Sequence, residues 1–328
     1  MWIVRLRHAE VARRLAIEEG LLERAAERGP LLLIGAGGPA VVVGKNQCPW
    51  REFRVDRARR AGVAIARRIS GGGTVYDDAG NLNVSLILPR EAYDLDRQFG
   101  VWLRALASCG IPAERRGHAL HLPDGGKISG HAFCLRRSAA LHHATLLVDA
   151  DLDALRSLLE PPGVQVRTRA TPSRPSPVAN LGPRGVSMER LERAVEAAAA
   201  ACYGGGLHPL PERERQDAED AAIVERHRSW SWVFGRSPET AVRWPWRPGA
   251  EIEATVRGGE VAEWRTTAGA EDDTLNDALD ALRRGTTGCR MDPAELGGRI
   301  RAAAQATAAR APRAALVRLA AAVESAWS

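Results

Sequence analysis

Arg67-Arg68-Ile69-Ser70-Gly71-Gly72-Gly73-Thr74-Val75-Tyr76-Asp77-Asp78-Ala79-Gly80-Asn81-Leu82-Asn83 runs straight into the apolar stretch Val84-Ser85-Leu86-Ile87-Leu88. Three consecutive glycines let a backbone turn through positive φ and let a ligand approach where no Cβ stands. The two arginines ahead of them supply forks of donors that suit a carboxylate or a phosphate. The stretch therefore reads as a loop that holds an anion against main chain, although a glycine run alone also fits a plain flexible turn. The β-branched and apolar residues on either side of Gly80-Asn81 read as a hairpin, Thr74 to Tyr76 against Val84 to Leu88.

The chain has 328 residues, 45% of them hydrophobic, enough for one large domain and a smaller one. No apolar run approaches the ~20 residues that cross a bilayer, and no signal pattern opens the chain, so a soluble, cytoplasmic protein with no membrane partner is expected. Cys48, Cys109, Cys134, Cys202 and Cys289 are odd in number and widely spaced, which suggests reduced thiols and neither a disulfide framework nor a zinc site. The net charge of +6 is spread through helices and loops among acids, a solvated surface and no nucleic-acid footprint. Only two of the basic residues, Lys45 and Lys127, are lysine. An ammonium is a compact point charge that a planar guanidinium does not imitate, so these two lysines mark candidate sites.

Outward from the glycine stretch, Val11 to Arg24 reads as an amphipathic helix with Leu15, Ile17, Leu21 and Leu22 on one side. Leu31 to Ile34 and Val41 to Val43 read as a hairpin that delivers Gly44-Lys45-Asn46-Gln47-Cys48-Pro49-Trp50, followed by a basic helix around Val55 to Ala61. Asp94 to Cys109 reads as a helix, Gly117 to Gly126 as strand and tight turn leading to Lys127-Ile128-Ser129-Gly130-His131, and Leu141 to Val148 as a strand. Asp149 to Leu159 reads as a helix, residues 160 to 185 as an irregular active-site flap, and Ser187 to Cys202 as a helix N-capped by Ser187. Glu212 to Glu225 is a connecting helix or a linker. The remainder, rich in tryptophan, reads as a small α+β domain with a hairpin turning at Gly258-Gly259 and helices over Asp272 to Arg284 and Asp292 to Ala304. The expected division is a catalytic domain over 1–210, a linker over 211–229 and an accessory domain over 230–328.

Four motifs now combine in order: Gly44 to Trp50; Arg67 to Gly73 with Gly80-Asn81-Leu82-Asn83; Lys127-Ile128-Ser129-Gly130; and His142-His143-Ala144-Thr145-Leu146-Leu147. Together they resemble lipoate-protein ligases of the lipoate and biotin protein ligase superfamily, and the resemblance continues through Ser176 to Leu181 and Trp230 to Pro238. It implies an α+β catalytic fold of mixed and antiparallel sheets flanked by helices, with a small α+β C-terminal domain. It implies an enzyme that condenses lipoate with ATP, with Mg2+ accompanying the nucleotide, to lipoyl-AMP. The lipoyl group then passes to one lysine of an acceptor protein carrying a lipoyl-type domain, the ligase itself acting as a monomer.

By that resemblance Lys127 is the catalytic lysine, neutralising the carboxylate and the acyl-adenylate oxygens as they are brought together. Arg68, Ser70, Gly71, Gly72 and Gly73 line the lipoate and adenylate site, with Asn81 orienting this wall and Lys45 and Gln47 facing phosphates. Ser129, Gly130, His143 and Thr145 complete the binding set. The sequence departs from the family pattern in three places. Asp77 stands where the family has His, so that Asp77 or Asp78 becomes a possible metal ligand. Gly117-His118-Ala119-Leu120-His121 stands in place of a Gly-Arg-Asn-Asp-type nucleotide turn, and His131 in place of a small Ser. Two rivals remain: an ATP-independent octanoyl or lipoyl transferase with a nucleophilic cysteine, Cys109 being the candidate, and a non-catalytic lipoate-binding module.

Overall fold

The computed structural model describes residues 1–7, 10–267 and 272–328. Helices and mixed sheets alternate through it, the α+β class expected. The chain forms two compact units. The first comprises Met1–Lys45, Ala64–Leu155 and Ser173–Arg228; the second comprises Asn46–Val63, Arg156–Pro172 and Ser229–Ser328.

The first unit is built on an eight-stranded sheet in the order His208–Pro209, Trp2–Leu6, Leu31–Gly35, Asn81–Pro89, Ala139–Leu147, Lys127–Leu135, Ala119–His121, Glu114–Arg116. Asn81–Pro89 and Ala139–Leu147 pair antiparallel over nine residues at its centre. Their apolar residues Leu82, Val84, Leu86, Ala144 and Leu146 join Phe99, Trp102 and Leu106 of helix Leu95–Ser108 and Leu191 and Val195 of helix Met188–Tyr203 in one buried cluster. That cluster is the back layer. On the front of the sheet lies helix Val11–Arg28, whose Glu18 reaches Ser85 and His143 on the two central strands. Ser187 caps the second back helix through the Arg190 amide, and Asp94 caps the first through that of Arg97, as the residue types dictate.

Two of the three hairpins expected from the sequence are replaced by changes of sheet. Val75–Asp77 and Ala40–Val43 pair with each other, and Ala40–Val43 also with Ala64–Arg67, in a separate three-stranded sheet, while Leu31–Gly35 and Asn81–Pro89 stay in the large one. At the first change Gly35 lies against strand Trp2–Leu6 so closely that a Cβ would stand 1.8 Å from the Leu6 carbonyl oxygen. At the second, Asp78 closes the turn by accepting from the Gly80 amide (2.9 Å) and the Asn81 side chain (3.0 Å). The Gly80 carbonyl meanwhile accepts from the amides of Val148 and Asp149, which pins the turn to the far end of the neighbouring strand.

The segment 211–228, expected as connecting helix or linker, forms helices Glu212–Ala218 and Ala221–Arg228 packed on Val11–Arg28. Glu19 accepts from His227 Nε2 at 2.9 Å and from Arg226 to hold the second of them. The expected flap over 160–185 is not structureless: its part Gln165–Thr168 is an edge strand of the second unit. In the first unit, Lys127 donates its amide to the Pro177 carbonyl (2.9 Å) and accepts from the Ala179 amide (3.0 Å).

The second unit pairs Gln165–Thr168, Thr240–Arg247, Ala250–Arg257 and Glu260–Thr266 into an antiparallel sheet, with helices Asp273–Thr286, Pro293–Ala306 and Arg310–Ser325. The hairpin at Gly258-Gly259 is present, both glycines taking positive φ. Trp50 is core here, donating its indole N–H to the Met291 carbonyl. Among the described residues no helix is long and apolar enough to cross a membrane.

Candidate active site

Successive residues of a strand point to opposite faces, and His142 and His143 are divided in this way. His142 turns back, among Phe99, Trp102 and Phe133. His143 turns forward, toward helix Val11–Arg28 and the glycine loop.

On the front, His143 Nε2 lies 2.6 Å from Ser70 Oγ, and Nδ1 lies 3.0 Å from both carboxylate oxygens of Glu18. Glu18 also accepts from Ser85 Oγ at 2.5 Å. Burial alone would push the Glu18 carboxyl up, but His143 and the two hydrogen bonds hold it below its ordinary value, so it stays a carboxylate. A neutral imidazole in this setting carries its proton on Nδ1, toward Glu18, and accepts at Nε2.

Ser70 begins the glycine loop, which is organised from inside by Arg68. The Arg68 guanidinium donates to Ser70 Oγ (3.0 Å) and to the carbonyls of Val42 (3.0 Å), Gly71 (2.6 Å) and Gly73 (2.6 Å). The amides of Gly71, Gly72 and Gly73 donate to no group among the described residues. Gly72 takes φ +85°, and a Cβ there would stand 3.0 Å from Arg68 Nη2 and 3.7 Å from the Ala132 methyl. The loop thus roofs the strand Lys127–Leu135.

Lys127 opens that strand and folds its ammonium over Gly130, where a Cβ would lie 3.4 Å from Nζ. Its side chain makes no hydrogen bond or ion pair among the described residues. Burial, and then the positive Arg68, push Lys127 below its usual value. Arg68 is likewise pushed down to about 10, by burial and by Arg67, although Glu18 opposes this. A half-buried ammonium beside a guanidinium, with no acid on it, is a place for an anion.

Several expected residues are brought together here. Gly130 pairs with Thr145 and Ala132 with His143 across the two strands, so Gly130, Thr145 and His143 share the front face with Lys127, under the loop of Ser70, Gly71, Gly72 and Gly73. Lys45 is exposed beside them, its amide bonded to the Ser70 carbonyl at 2.8 Å.

Other expected residues are placed differently. Arg67 and Arg68 donate to main-chain carbonyls, Arg67 to those of Gly44 and Lys45, so they shape the loop and do not offer both forks to a ligand. Ser129 faces back: its hydroxyl lies 3.0 Å from His131 Nε2, His131 Nδ1 lies 2.8 Å from His142 Nε2, and His142 Nδ1 lies 2.8 Å from Gln98 Oε1. The strand's alternation explains this, since Ser129 and Gly130 cannot both point forward. Gln47 belongs to the second unit, buried with its amide 2.9 Å from Glu52, and does not face outward to phosphate. Asn81 closes the Asp78 turn.

The metal expectation is corrected as well. Asp77 is ion-paired with Arg14 and accepts from Asn83 at 3.0 Å, and Asp78 accepts from Gly80, Asn81 and the Asp151 amide (2.9 Å). Among the described residues no three His, Cys, Asp or Glu side chains gather as a metal site. Cys109, the candidate thiol nucleophile, is buried in the back layer.

Glu18, Ser85 and Arg14 were missed in the sequence. A signal for Glu18 existed: Leu15, Glu18 and Leu22 fall at i, i+3 and i+7 of the first helix, an acid within an apolar stripe.

Comparison with known proteins gives the family and the fold. A mouse protein, "Lipoyl amidotransferase LIPT1, mitochondrial", is 35% identical over 242 residues, which are 71% of this chain and 65% of that protein. The chain thus spans slightly less than two thirds of that relative. In fold, a crystal structure of lipoate-protein ligase A bound with ATP superposes with a TM-score of 0.61 at 23% identity, covering 71% of this chain and 98% of that one. A bipartite lipoate protein ligase of Thermoplasma acidophilum, studied with its E2 lipoyl domain, gives 0.61 at 22% identity, covering 72% and 95%. Residues 10–200 match the lipoyl protein ligase A/B catalytic domain, and the chain belongs to that family.

Proposed function

We propose that this chain attaches a lipoyl group to a lysine of an acceptor protein, using ATP to activate lipoate as lipoyl-AMP. The observation that carries this reading is the half-buried, unpaired Lys127 ammonium beside the Arg68 guanidinium. Two cations with no acid between them are complementary to a carboxylate and a phosphate, and to the acyl phosphate made from the two. A neutral acyl donor would leave that charge unanswered. In this reading Lys127 holds the acyl and phosphate oxygens, Gly130 leaves room for its side chain, and the amides of Gly71 to Gly73 line the roof. Lys45, exposed at the adjoining loop, meets the nucleotide phosphates.

ATP would supply the adenylate as a leaving group. Magnesium would arrive on its phosphates, because Asp77 and Asp78 are taken by protein donors. The acceptor is a small domain displaying a lysine, as in the archaeal system with its E2 lipoyl domain. The free thiols of all five cysteines fit a reducing, cytoplasm-like compartment. Incubation with ATP, lipoate and a lipoyl-type domain tests the reading: pyrophosphate release and one lipoyl mass on the acceptor are expected, and the absence of both would overturn it.

A second reading, transfer of an acyl group from one lysine amide to another without ATP, is favoured by the Ser70–His143–Glu18 chain and by the activity in the mouse relative's name. Octanoate is an equally suitable acyl group in either reading, since apolar contacts discriminate weakly between acyl chains.

A further inference from the structure

We propose that Ser70 is a nucleophile that carries the acyl group as an ester, with His143 as its base and Glu18 as the residue that positions His143. The inference rests on the second reading above and names the group that would make transfer without ATP possible. Its parts are geometric. Ser70 Oγ is 2.6 Å from His143 Nε2, and the opposite ring nitrogen is 3.0 Å from a fully buried carboxylate, the order of groups that activates a serine hydroxyl. The carboxylate is itself fixed by Ser85. Arg68 donates to the same Oγ and so favours negative charge on it, while the amides of Gly71, Gly72 and Gly73 are unused donors of the kind an oxyanion takes.

No thiol competes. Cys109 lies in the back layer, and Cys134, on the front face of the lysine strand, has its thiol pushed up by burial. The back chain from Ser129 through His131 and His142 ends in the neutral amide of Gln98, which stabilises no imidazolium.

The chemistry balances. Ser70 Oγ attacks the acyl carbonyl carbon of an acyl-lysine amide, and its proton passes to His143 Nε2. The carbon–nitrogen bond breaks, His143 gives that proton to the departing amine, and an acyl-Ser70 ester remains. The amine of the acceptor lysine then attacks the ester carbonyl and loses a proton to His143, the carbon–oxygen bond breaks, and the proton returns to Oγ. One amide is consumed and one is formed, with no oxidant or nucleotide.

The full chain is mixed with p-nitrophenyl octanoate without ATP, quenched in acid and mapped by peptide mass. One octanoyl group on Ser70 is expected, at a rate lowered about 10²-fold or more in His143→Gln. Ser70→Ala should gain none while keeping the wild-type thermal unfolding curve. Glu18→Gln should slow the octanoylation of Ser70, and Glu18→Asp, which restores the carboxylate, should recover part of that rate, which a purely structural role would not require. An octanoyl group on Lys127 or elsewhere with Ser70 bare, or undiminished lysine-to-lysine octanoyl transfer between lipoyl-type domains by Ser70→Ala, overturns the proposal. ATP-driven lipoylation by the wild-type chain, measured in parallel, separates the two failures: where it proceeds and no octanoyl group reaches Ser70, the ligase reading stands and the acyl-serine does not.

Discussion

Two serine–histidine chains lie on opposite faces of one sheet, started by adjacent histidines of one strand. The front chain, Ser70–His143–Glu18, ends in a buried carboxylate and begins in a glycine loop whose amides are free among the described residues. The back chain, Ser129–His131–His142–Gln98, ends in an amide and is walled by Phe99, Trp102 and Phe133. The same residue types thus form a chain that opens on the glycine loop on one face and a chain enclosed by aromatic packing on the other. What separates them is the terminal group: a carboxylate can stabilise a protonated imidazole, and a primary amide cannot. Burial pushes both back histidines well below the ordinary value, with neighbouring positive groups adding to it, and keeps them neutral.

The largest effect tests whether the front face is held by its own ions. Asp77→Ala leaves Arg14 buried without its acid, which should destabilise the chain by about 3–5 kcal/mol in denaturant unfolding. Removing both partners, as Asp77→Ala with Arg14→Met, should recover a good part of that loss. Next, Lys127→Ala should lower acyl transfer by about 10²–10³-fold with little change in unfolding midpoint. Lys127→Arg should fall nearly as far, because a planar fork does not place its charge as a compact ammonium does.

The two histidines then give the sharpest contrast. His142→Gln should cost about 1–3 kcal/mol of stability by breaking a buried hydrogen-bonded chain, and leave transfer within a few-fold of wild type. Equal losses of transfer from the two adjacent histidine substitutions would erase the front–back distinction.

The smallest effect is a difference in pH dependence. His131 and His142 are held in the folded chain below the ordinary histidine value of 6.5, so the unfolded chain binds more protons below that pH. Their contribution to stability is complete above about 6.5 and is lost as the pH falls beneath it. Glu18 is depressed below 4.5, so its contribution fades only below that pH. Denaturant unfolding at successively lower pH should show the upper loss shrink in His142→Gln and persist in Glu18→Gln.

Much of this was legible in the sequence, because backbone requirements leave marks. The glycine loop, the lysine after a tight turn, the capped helices and the Gly258-Gly259 hairpin are set by local residue types. The two misread hairpins were not legible, since turn signals at Gly35 and Gly80 look the same whether the chain reverses or changes sheet. What decides is a distant contact, the Leu6 carbonyl in one case and the Val148 and Asp149 amides in the other. Ser129 was misassigned because a motif is read as a block, whereas a strand sends alternate residues to opposite faces. Asp77 looked like a ligand until Arg14, more than sixty residues earlier in the chain, was placed against it.

The proposed activity requires that the unpaired Lys127 site move an acyl group onto protein. The most direct measurement is the intact mass of a lipoyl-type acceptor domain after incubation with this chain, lipoate and ATP, run beside Lys127→Ala. One added lipoyl group with the wild-type chain and none with the variant is the predicted result. An acceptor left unmodified by the wild-type chain, or modified equally well by Lys127→Ala, would contradict it.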